Sequence, residues 1–372
     1  TIFQEPVVWY ITGLPVILST YFSCICLVLL FVSRDFIIDK ISVLLFIRIF
    51  VCLIPLVYIS DFSSFSSHFP VVIVSFISYF IGVSGHNSNR DNLVTLIIFG
   101  LIICFQVFFT FSKVDVDFFN LGYKSAMSIP IGASNIIASY IVPVLLLFAI
   151  RPKQNLILKI ILCLIMFSAI VLTKSRGGII SLLSSIIIYK FFIAKYGMGK
   201  IILMCAIIAI CYIWLLSIPE VSYFFMGYAE SDNTNMTIDD LSSGRLSIFT
   251  TELQRAFHHP IFGNGMMFND STSSSGSHNL IIELFVQSGI IGLFLFVYPI
   301  ILVIKKGISD LKFSQNNLPW LMIIIAQLIH GMIEVNFFSY STDIIFWFAC
   351  GTIMSKTKGN YSAKGRIIYP LN

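Results

Sequence analysis

Long apolar segments recur along the whole sequence, and they constrain its fold more than any other feature. Each run has about 20 residues, enough to cross about 30 Å of hydrocarbon as a helix. None alternates polar with apolar residues as a strand of a membrane barrel does. Charged residues make up only 11% of the chain, whereas soluble domains carry about a quarter. We therefore predict an all-α fold, a polytopic transmembrane helical bundle.

The predicted bundle has about eleven spans, within a range of about ten to twelve. The opening apolar stretch has no basic leader and no clear cleavage site, so we expect a span there and not a secretory signal. We predict one integral membrane domain, residues 1–372. The spans lie near residues 8–32, 41–60, 69–83, 93–112, 128–150, 156–174, 178–194, 200–218, 279–304, 318–335 and 343–355.

Basic residues are concentrated in alternate loops, which should face the cytoplasm. The opposite loops then face outward, and one of them, residues 219–277, is much longer than the other connections. It mixes Asp, Ser, Asn and Gly with a helix-like patch, Arg245–His258. Loops of this length in a compact protein are usually functional. We therefore expect the chemistry of the protein on its outer face.

The same features exclude several other classes of protein. The net charge of +5 comes from short loops beside helix ends, which topology explains better than nucleic-acid binding. The eight cysteines lie mostly within apolar runs and lack metal-ligand spacing. A metal site from His258, His259, Asp239 and Asp240 does not have the i,i+4 histidines of a helical zinc site. With no P-loop and no dinucleotide-binding fingerprint, we expect neither cofactor nor metal.

Two arginines stand out at the outer boundary. Arg176 follows Lys174-Ser175 and precedes two glycines on the side where topology disfavours cations. It either extends to lipid headgroups or binds an anion, for which a guanidinium fork suits phosphate oxygens. Arg245 begins the helical patch of the long loop and has no obvious partner. Together the outward arginines can hold a pyrophosphate.

Arg255 and His278 are weaker candidates when each is taken alone. Arg255 has an alternative in Glu252, three residues earlier, as a surface ion pair. His278 begins the span after the long loop, where Ser277 can cap the helix. The positive end of that helix and the neighbouring arginines favour a neutral imidazole, which can act as a general base. A structural role for a single interfacial histidine is the alternative.

Ionisable residues also occur inside or near the apolar segments: Arg48, Glu283 and Glu334. Charges in a membrane are costly and are functional candidates by default. Pairing of Arg48 with one of these glutamates is the structural alternative. The segments His258-His259-Pro260 and Gly263-Asn264-Gly265 predict a helix end followed by a tight turn, a role in shape.

Several of these motifs, in this order, resemble the O-antigen ligase and polymerase superfamily. The resemblance covers roughly residues 130–300 and includes an Asn-containing helix before the arginine motifs. The matching residues are Gly132, Asn135, Ala138 and Pro143; Lys174-Ser175-Arg176-Gly177-Gly178; Ser243-Gly244-Arg245; His259-Pro260-Ile261-Phe262-Gly263-Asn264-Gly265; Ser277-His278-Asn279; and Gly289 with Gly292.

The resemblance implies a metal-independent membrane glycosyltransferase of the GT-C-like type. Such an enzyme takes a glycan from undecaprenyl pyrophosphate at the periplasmic face of the bacterial inner membrane and passes it to a hydroxyl. By the same resemblance Arg176 and Arg245 hold the pyrophosphate, His278 is the base, and Arg255 is a weaker electrostatic helper. Implied partners are the lipid-linked oligosaccharides, membrane lipid and, as a further candidate, a chain-length regulator.

Within this superfamily we predict an O-antigen polymerase, which joins repeat units of the lipopolysaccharide O-antigen. The chain looks compact without an appended soluble domain, and it is rich in Phe and Ile, with 36 phenylalanines. A ligase that transfers the glycan to the lipid A core shares the same arginines and histidine, so it remains an alternative. A flippase or transporter of lipid-linked sugars is a second alternative and would use Arg48, Glu283 and Glu334 along a path through the bundle.

Overall fold

The fold is known from a computed structural model of the chain. The structure describes most of the predicted spans but not the segments at either end or the stretch before Arg245. The described residues are 37–58, 62–84, 89–115, 118, 123–129, 132–150, 156–193, 199, 245–266, 277–312, 315–335, 337 and 340–355.

The described residues are almost entirely helical, as predicted. A two-residue antiparallel pair, β1 (Ser128–Ile129) with β2 (Gly132–Ala133), is the exception among them. The helices are α1 (Lys40–Leu53, extended by a 3-10 turn Ile54–Val57), α2 (Phe62–Ser84), α3 (Asn89–Phe111), α4 (Tyr123–Ala126), α5 (Ser134–Ile150), α6 (Leu156–Leu172), α7 (Arg176–Ile188), α8 (Arg245–Ala256), α9 (Leu280–Asp310), α10 (Leu318–Ile333) and α11 (Tyr340–Met354).

The lengths and composition of these helices fit a multi-pass membrane protein. Four segments are long and apolar enough to cross a bilayer: Lys40–Val57, Asn92–Phe111, Leu280–Asp310 and Gln315–Ile333. Four shorter apolar helices lie at other predicted spans: His68–Ser84, Ser134–Ile150, Leu156–Leu172 and Thr342–Met354. Nine of the predicted spans therefore coincide with helices of the structure. The predicted spans 8–32 and 200–218 lie outside the described residues.

The bundle is organised around α5, which is buried on all sides from Ile137 to Phe148. It packs against α6, α7 and α10, so the helices that carry the predicted motifs share one core. A second close contact joins α2 to α11 through Gly82 and Gly351, where an added Cβ would collide with the backbone of the partner helix. Small residues allow this approach, as is usual in membrane helix pairs.

Helix α9 is broken at Gly289, and the segment 257–266 fills the break. Gly289 has φ 62° and ψ −168°, a conformation that glycine adopts readily. The amide N–H groups of Asn264 and Gly265 donate to the carbonyls of Val286 and Gln287 at 2.7 and 3.0 Å. Each broken helical hydrogen bond is thus replaced by another, as apolar surroundings require. The predicted shape role of this segment agrees with the structure.

The same segment also supplies acceptors to the second half of α9. Ile290 N–H donates to the carbonyl of Pro260 at 2.9 Å, and Ile291 N–H donates to that of Ile261 at 3.3 Å. The kink therefore has partners on both sides. It redirects the chain between the first turns of α9, which follow His278, and the long apolar part of the helix.

Arg48 lies near a different acidic residue from Glu283 and Glu334, the two partners that the structural alternative offered. Its guanidinium is buried in the core and lies 4.8 Å from the ring centre of Phe296. The carboxylate whose charge acts on it belongs to Asp343 on α11. Asp343 in turn accepts a hydrogen bond from Ser75 at 3.0 Å. The acidic residue near this buried arginine is therefore Asp343, at the start of the last predicted span.

Candidate active site

Glu334 lies at the centre of the candidate site, directly after the last residue of α10. Its backbone leaves the helix in an extended conformation, and its carboxylate binds two groups. Arg245 Nη2 lies 2.5 Å from Oε1, and His278 Nδ1 lies 2.8 Å from Oε2. Arg245 Nη1 also donates to the carbonyl of Ile333 at 2.9 Å. One carboxylate therefore joins the starts of α8 and α9 to the end of α10.

The backbone around His278 is held in a strained conformation. His278 has φ 51°, in the left-handed region that non-glycine residues seldom occupy. Its neighbour Asn279 caps α9 by accepting from the N–H groups of Ile281 and Ile282. The side-chain amide of Asn279 also donates to the carbonyl of Met332 at 3.2 Å. These bonds fix the imidazole against the end of α10.

The cap of α9 differs from the prediction. Ser277 was expected to cap this helix, but Asn279 does so. Ser277 is instead fully buried, and its N–H donates to Oε2 of Glu283 at 2.9 Å, while its hydroxyl donates to the carbonyl of Asn279. The sequence offers both polar residues within two positions, so composition alone does not choose between them. The left-handed turn at His278 decides, because it places Asn279 at the entry to the helix.

The pairing with Glu334 determines which nitrogen of His278 is available for chemistry. An ionised carboxylate only accepts hydrogen bonds, so Nδ1 must carry the proton. In the neutral imidazole, the other nitrogen, Nε2, is then the one that bears the lone pair. Within the described part of the chain nothing hydrogen-bonds to Nε2, and the side chain is 26% exposed. The ring is therefore oriented as a general base requires.

Arg176 lies beside this pair, at the first position of α7. Ser175 caps α7 by accepting from the N–H of Gly178 at 3.1 Å. A Cβ placed on Gly177 would lie 3.2 Å from Cγ of Glu334. The N-terminus of α7 thus contacts Glu334 directly, and the absence of a side chain at Gly177 permits it. The structure therefore places the residue after Arg176 against Glu334, the carboxylate that binds Arg245 and His278.

Lys124, in the short helix α4, is a further cation of the site that the sequence reasoning missed. Burial lowers the pKa of Lys124; the charge of Glu334 opposes this shift, whereas those of Arg176 and Arg245 add to it. All three groups therefore lie close enough for their charges to act on the ammonium. Arg245 and Lys124 act on the carboxylate of Glu334, and Arg176 lies close enough to act on Lys124.

The carboxyl of Glu334 stays ionised in this setting. Burial alone would raise its pKa, but the hydrogen bond from His278 and the charges of Arg245 and Lys124 act against burial, and the pKa lies below its usual value. Its side chain is only 10% exposed. A permanently charged, well-held acceptor is what keeps both His278 and Arg245 in place.

Other candidate residues take different positions. Arg255 Nη1 lies 3.9 Å from Glu252 Oε2, the ion pair that the sequence offered as its alternative. His258 and His259 are exposed, and the His259 ring stacks on Tyr58 with centres 4.3 Å apart. Two further members of the alternative metal set, Asp239 and Asp240, lie outside the described residues.

Some signals for the missed residues existed in the sequence. Glu334 was flagged as an ionisable residue near an apolar helix, but its distance of 56 positions from His278 hid the pairing. Lys124 ends a predicted outward loop, as Arg176 does, so topology placed both on one face. Three of the five residues, Lys124, Arg176 and Arg245, lie in connections predicted to face outward, and His278 and Glu334 lie at the ends of the predicted spans 279–304 and 318–335. The contacts confirm that they share one end of the bundle.

A comparison with protein families identifies the part of the chain that carries much of this site. Residues 161–297 match the family model of the O-antigen ligase, Wzy_C. This part of the chain is therefore similar to the O-antigen ligase family. The match lies within the predicted resemblance over residues 130–300 and includes Arg176, Arg245 and His278, so the resemblance to the ligase and polymerase superfamily is confirmed.

The family match covers only part of the candidate site. Members of this family are glycosyltransferase-like enzymes that act on lipid-linked oligosaccharides, and polymerases and ligases share the Wzy_C domain. Glu334 lies outside the matched residues, as does Lys124, so the site extends beyond the matched domain. No curated protein matches the chain at a significant level.

Proposed function

We propose that this protein is an O-antigen polymerase. It joins oligosaccharide repeat units carried on undecaprenyl pyrophosphate, at the periplasmic face of the inner membrane, during lipopolysaccharide synthesis. The proposal rests mainly on one observation: a histidine that a carboxylate orients lies beside a cluster of cations. The histidine is His278, which Glu334 orients, and the cations are Arg176, Arg245 and Lys124. This arrangement lies partly in an O-antigen ligase family domain.

The cationic cluster suits a pyrophosphate. Arg176 and Arg245 both lie near Lys124, and Glu334 is the one carboxylate that acts on this lysine, so the site keeps an excess of positive charge at the mouth of an apolar bundle. Arginine forks bind phosphate oxygens with two parallel hydrogen bonds, and the N-terminus of α7 adds its dipole next to Arg176. As the glycosidic bond breaks, negative charge grows on the pyrophosphate, and these groups stabilise it.

His278 activates the acceptor in a single displacement. Its Nε2 takes the proton from the acceptor hydroxyl while the hydroxyl oxygen attacks the anomeric carbon of the donor glycan. The bond between that carbon and the phosphate oxygen breaks, and undecaprenyl pyrophosphate leaves with the bonding electrons. Attack from the face opposite the leaving group inverts the anomeric centre. Glu334 holds the imidazolium that forms.

The reaction needs no metal ion by this mechanism. Many glycosyltransferases offset pyrophosphate charge with a divalent cation, the role that metal ions commonly take with phosphates. Here Arg176, Arg245 and Lys124 supply that charge. Polymerisation by purified protein should therefore continue in excess EDTA, and loss of activity that Mg²⁺ or Mn²⁺ restores would refute this part of the proposal.

A ligase is the second candidate function, because the matched family model is itself described as O-antigen ligase. The same site would then transfer the finished glycan to the lipid A core. Our preference for the polymerase rests on the sequence composition, with its 36 phenylalanines, and not on a difference in the site. The two enzymes differ in the acceptor, which the surrounding loops select.

The transporter alternative has less support. It needs ionisable groups along a path through the bundle, yet Glu334 takes part in the site and Glu283 binds the adjacent Ser277 N–H. Arg48, the third residue of that alternative, lies with Asp343 and Phe296. The family match also points to glycosyl transfer and gives no support to transport.

Lipopolysaccharide gels test the proposal directly. A strain lacking the gene is complemented with the natural sequence or with His278→Ala, at matched membrane abundance. A polymerase predicts core bearing a single repeat unit in both the deletion and the variant strain, and a full ladder with the natural sequence. Bare core with accumulated lipid-linked polymer would instead identify a ligase. An unchanged ladder in the deletion strain would overturn both functions.

A further inference from the structure

A row of buried polar side chains extends from Glu334 along one face of α10. Gln327, His330 and Glu334 are spaced three and four positions apart, so they line the same side of the helix. Gln327 and His330 are each only 1% exposed. Within the described part of the chain, neither imidazole nitrogen of His330 has a hydrogen-bond partner. Among the described residues, the side-chain oxygen and nitrogen of Gln327 also have no hydrogen-bond partner.

Helix α7 faces this row with small residues. A Cβ on Gly177 would lie 3.2 Å from Nε2 of His330 and the same distance from Cγ of Glu334, so this glycine leaves space between the two side chains. One turn along, the Ser181 hydroxyl donates to the carbonyl of Ala326 at 2.6 Å. Ser185, one turn farther, is buried and its hydroxyl oxygen has no partner among the described residues.

Unpartnered polar atoms in such numbers call for a ligand that the protein itself does not supply. Buried imidazole and amide groups in folded proteins are hydrogen-bonded to protein or to ordered water. Buried water typically makes about three hydrogen bonds and occupies polar sites of this kind. The interface between α7 and α10 offers an imidazole, an amide and a hydroxyl within two helical turns. Each of them can both donate and accept.

We propose that ordered water occupies this interface and bridges His330 to the carboxylate of Glu334. Through that water His330 acts as a positioning residue: it holds Glu334 in the conformation that binds Arg245 and orients His278. The inference rests on the proposed function, since it assigns His330 to the same reaction. It also explains why Gly177 carries no side chain, because a Cβ would narrow the space that the water occupies.

The role of the water follows from the position of Glu334. Its two oxygens bind Arg245 and His278, but its backbone has left α10 and no longer follows helical geometry. A carboxylate accepts about four hydrogen bonds, so Glu334 can accept one from a water on the side of His330 in addition to those from Arg245 and His278. With that third contact the side chain is held from two sides. Without it, the carboxylate can rotate away from His278.

Kinetics of the full-length protein in lipid nanodiscs test this role. His330→Leu removes the hydrogen bonds at similar volume, whereas His330→Asn and His330→Gln each keep one donor and one acceptor. We expect His330→Leu to lower kcat by about 10-fold or more, the scale on which outer hydrogen-bond partners of histidine act elsewhere. KM for the lipid-linked donor should stay unchanged, because the cations that bind pyrophosphate remain. At least one amide variant should recover most of the loss.

The kinetic test needs a control variant, and two results would contradict the role of His330. Ile324→Val changes a buried side chain on the same helix and should keep kcat. Natural kcat in a folded His330→Leu variant would overturn the inference. So would equal loss in all three variants, because hydrogen bonding would then not be what His330 provides.

A direct view of the water separates this inference from the proposed function. High-resolution cryo-EM of the natural protein in nanodiscs should show water density within hydrogen-bond distance of His330 and Glu334. The water can be present, and Glu334 can lose its contact with His278 in His330→Leu, even if the protein is inactive as a polymerase. That combination would refute only the proposed function. Absence of water density next to His330 in the natural protein would overturn the inference, whatever the activity. Because this measurement uses the natural protein, it remains possible even if His330→Leu does not accumulate.

Discussion

Glu334 Oε2 lies 2.8 Å from Nδ1 of His278, and this contact spans 56 positions of the chain. It resembles in logic the carboxylate that orients a catalytic histidine in hydrolytic triads, where the carboxylate fixes the tautomer and stabilises the imidazolium. In this protein the same carboxylate also binds Arg245. The base and one of the pyrophosphate-binding cations are therefore held by one side chain. The positions of the two groups are therefore coupled through Glu334.

Glu334→Gln should separate catalysis from substrate binding. The amide cannot provide a charged acceptor for both partners, so we expect kcat to fall by about 10²-fold to 10⁴-fold, the range for loss of general base assistance. KM for the lipid-linked donor should not rise, because removal of a negative charge leaves the cationic cluster more attractive to pyrophosphate. Initial rates of polymer formation in nanodiscs measure both constants.

A matched carboxylate serves as the control for that variant. Asp310 forms an ion pair with Lys306 at 2.6 Å at the other end of α9, and Asp310→Asn should leave both constants near the natural values. A Glu334→Gln enzyme with natural kcat would show that the carboxylate does not orient the base.

His278→Ala should abolish the catalytic step without loss of the fold. The side chain is partly exposed and occupies little of the core, so membrane abundance and thermal stability should stay close to natural. We expect kcat to fall by about 10²-fold to 10⁴-fold. His258→Ala, an exposed histidine in the same outer region, is the control and should retain activity. Equal activity of the two variants would remove His278 from the mechanism.

The arginines should differ in their response to lysine. Arg176→Lys and Arg245→Lys keep the charge but lose the planar fork, and Arg245 also loses its simultaneous contacts with Ile333 and Glu334. We expect kcat/KM to fall by about 10²-fold for each, the lower end for loss of a donor to developing charge. Arg255→Lys, whose guanidinium pairs with Glu252, should lose less than either. The proposed roles fail if all three variants fall equally or not at all.

Much of the fold could be predicted because each membrane helix leaves a local trace. Apolar length gave the helices, and the alternation of basic loops placed Arg176, Arg245 and His278 on one face. The pairing of His278 with Glu334, and the position of Asp343 near Arg48, could not be read in the same way. Both join residues far apart in sequence, and the choice of carboxylate depends on helix packing, which hydropathy does not encode.

The cap of α9 shows a finer limit. Ser277 and Asn279 are both good caps, and the left-handed backbone of His278 between them determines which one meets the helix. That conformation depends on the tertiary contacts of Asn279 with Met332 and of Ser277 with Glu283. Local sequence predicted the position of the helix start within two residues but not its geometry.

The site should lose its central carboxylate only in strong acid. The pKa of Glu334 is held below the 4.5 usual for glutamate, so ionised Glu334 favours the folded state. That stabilisation is fully present above the unfolded value and is lost as pH falls through the lower, folded one. We expect the stability difference between the natural protein and Glu334→Gln to be constant from about pH 7 to pH 5 and to shrink below about pH 4.5. Thermal unfolding in detergent at each pH measures it, and a difference that grows with acid would contradict the assignment.

The break in α9 gives a prediction about the fold that does not depend on function. Gly289 has φ 62°, and a Cβ there would collide with the carbonyl of Ile261, which is part of the segment that fills the break. Gly289→Ala therefore combines backbone strain of about 1–2 kcal/mol with displacement of the hydrogen bonds from Asn264 and Gly265. We expect a lower unfolding temperature and reduced membrane abundance. Gly199→Ala is the matched control, because an added Cβ at Gly199 would meet nothing within 4 Å. Equal stability of the two variants would contradict this prediction. It would mean that the segment 257–266 can move away from Gly289 without loss of folding free energy, and that the backbone hydrogen bonds of α9 do not need this segment.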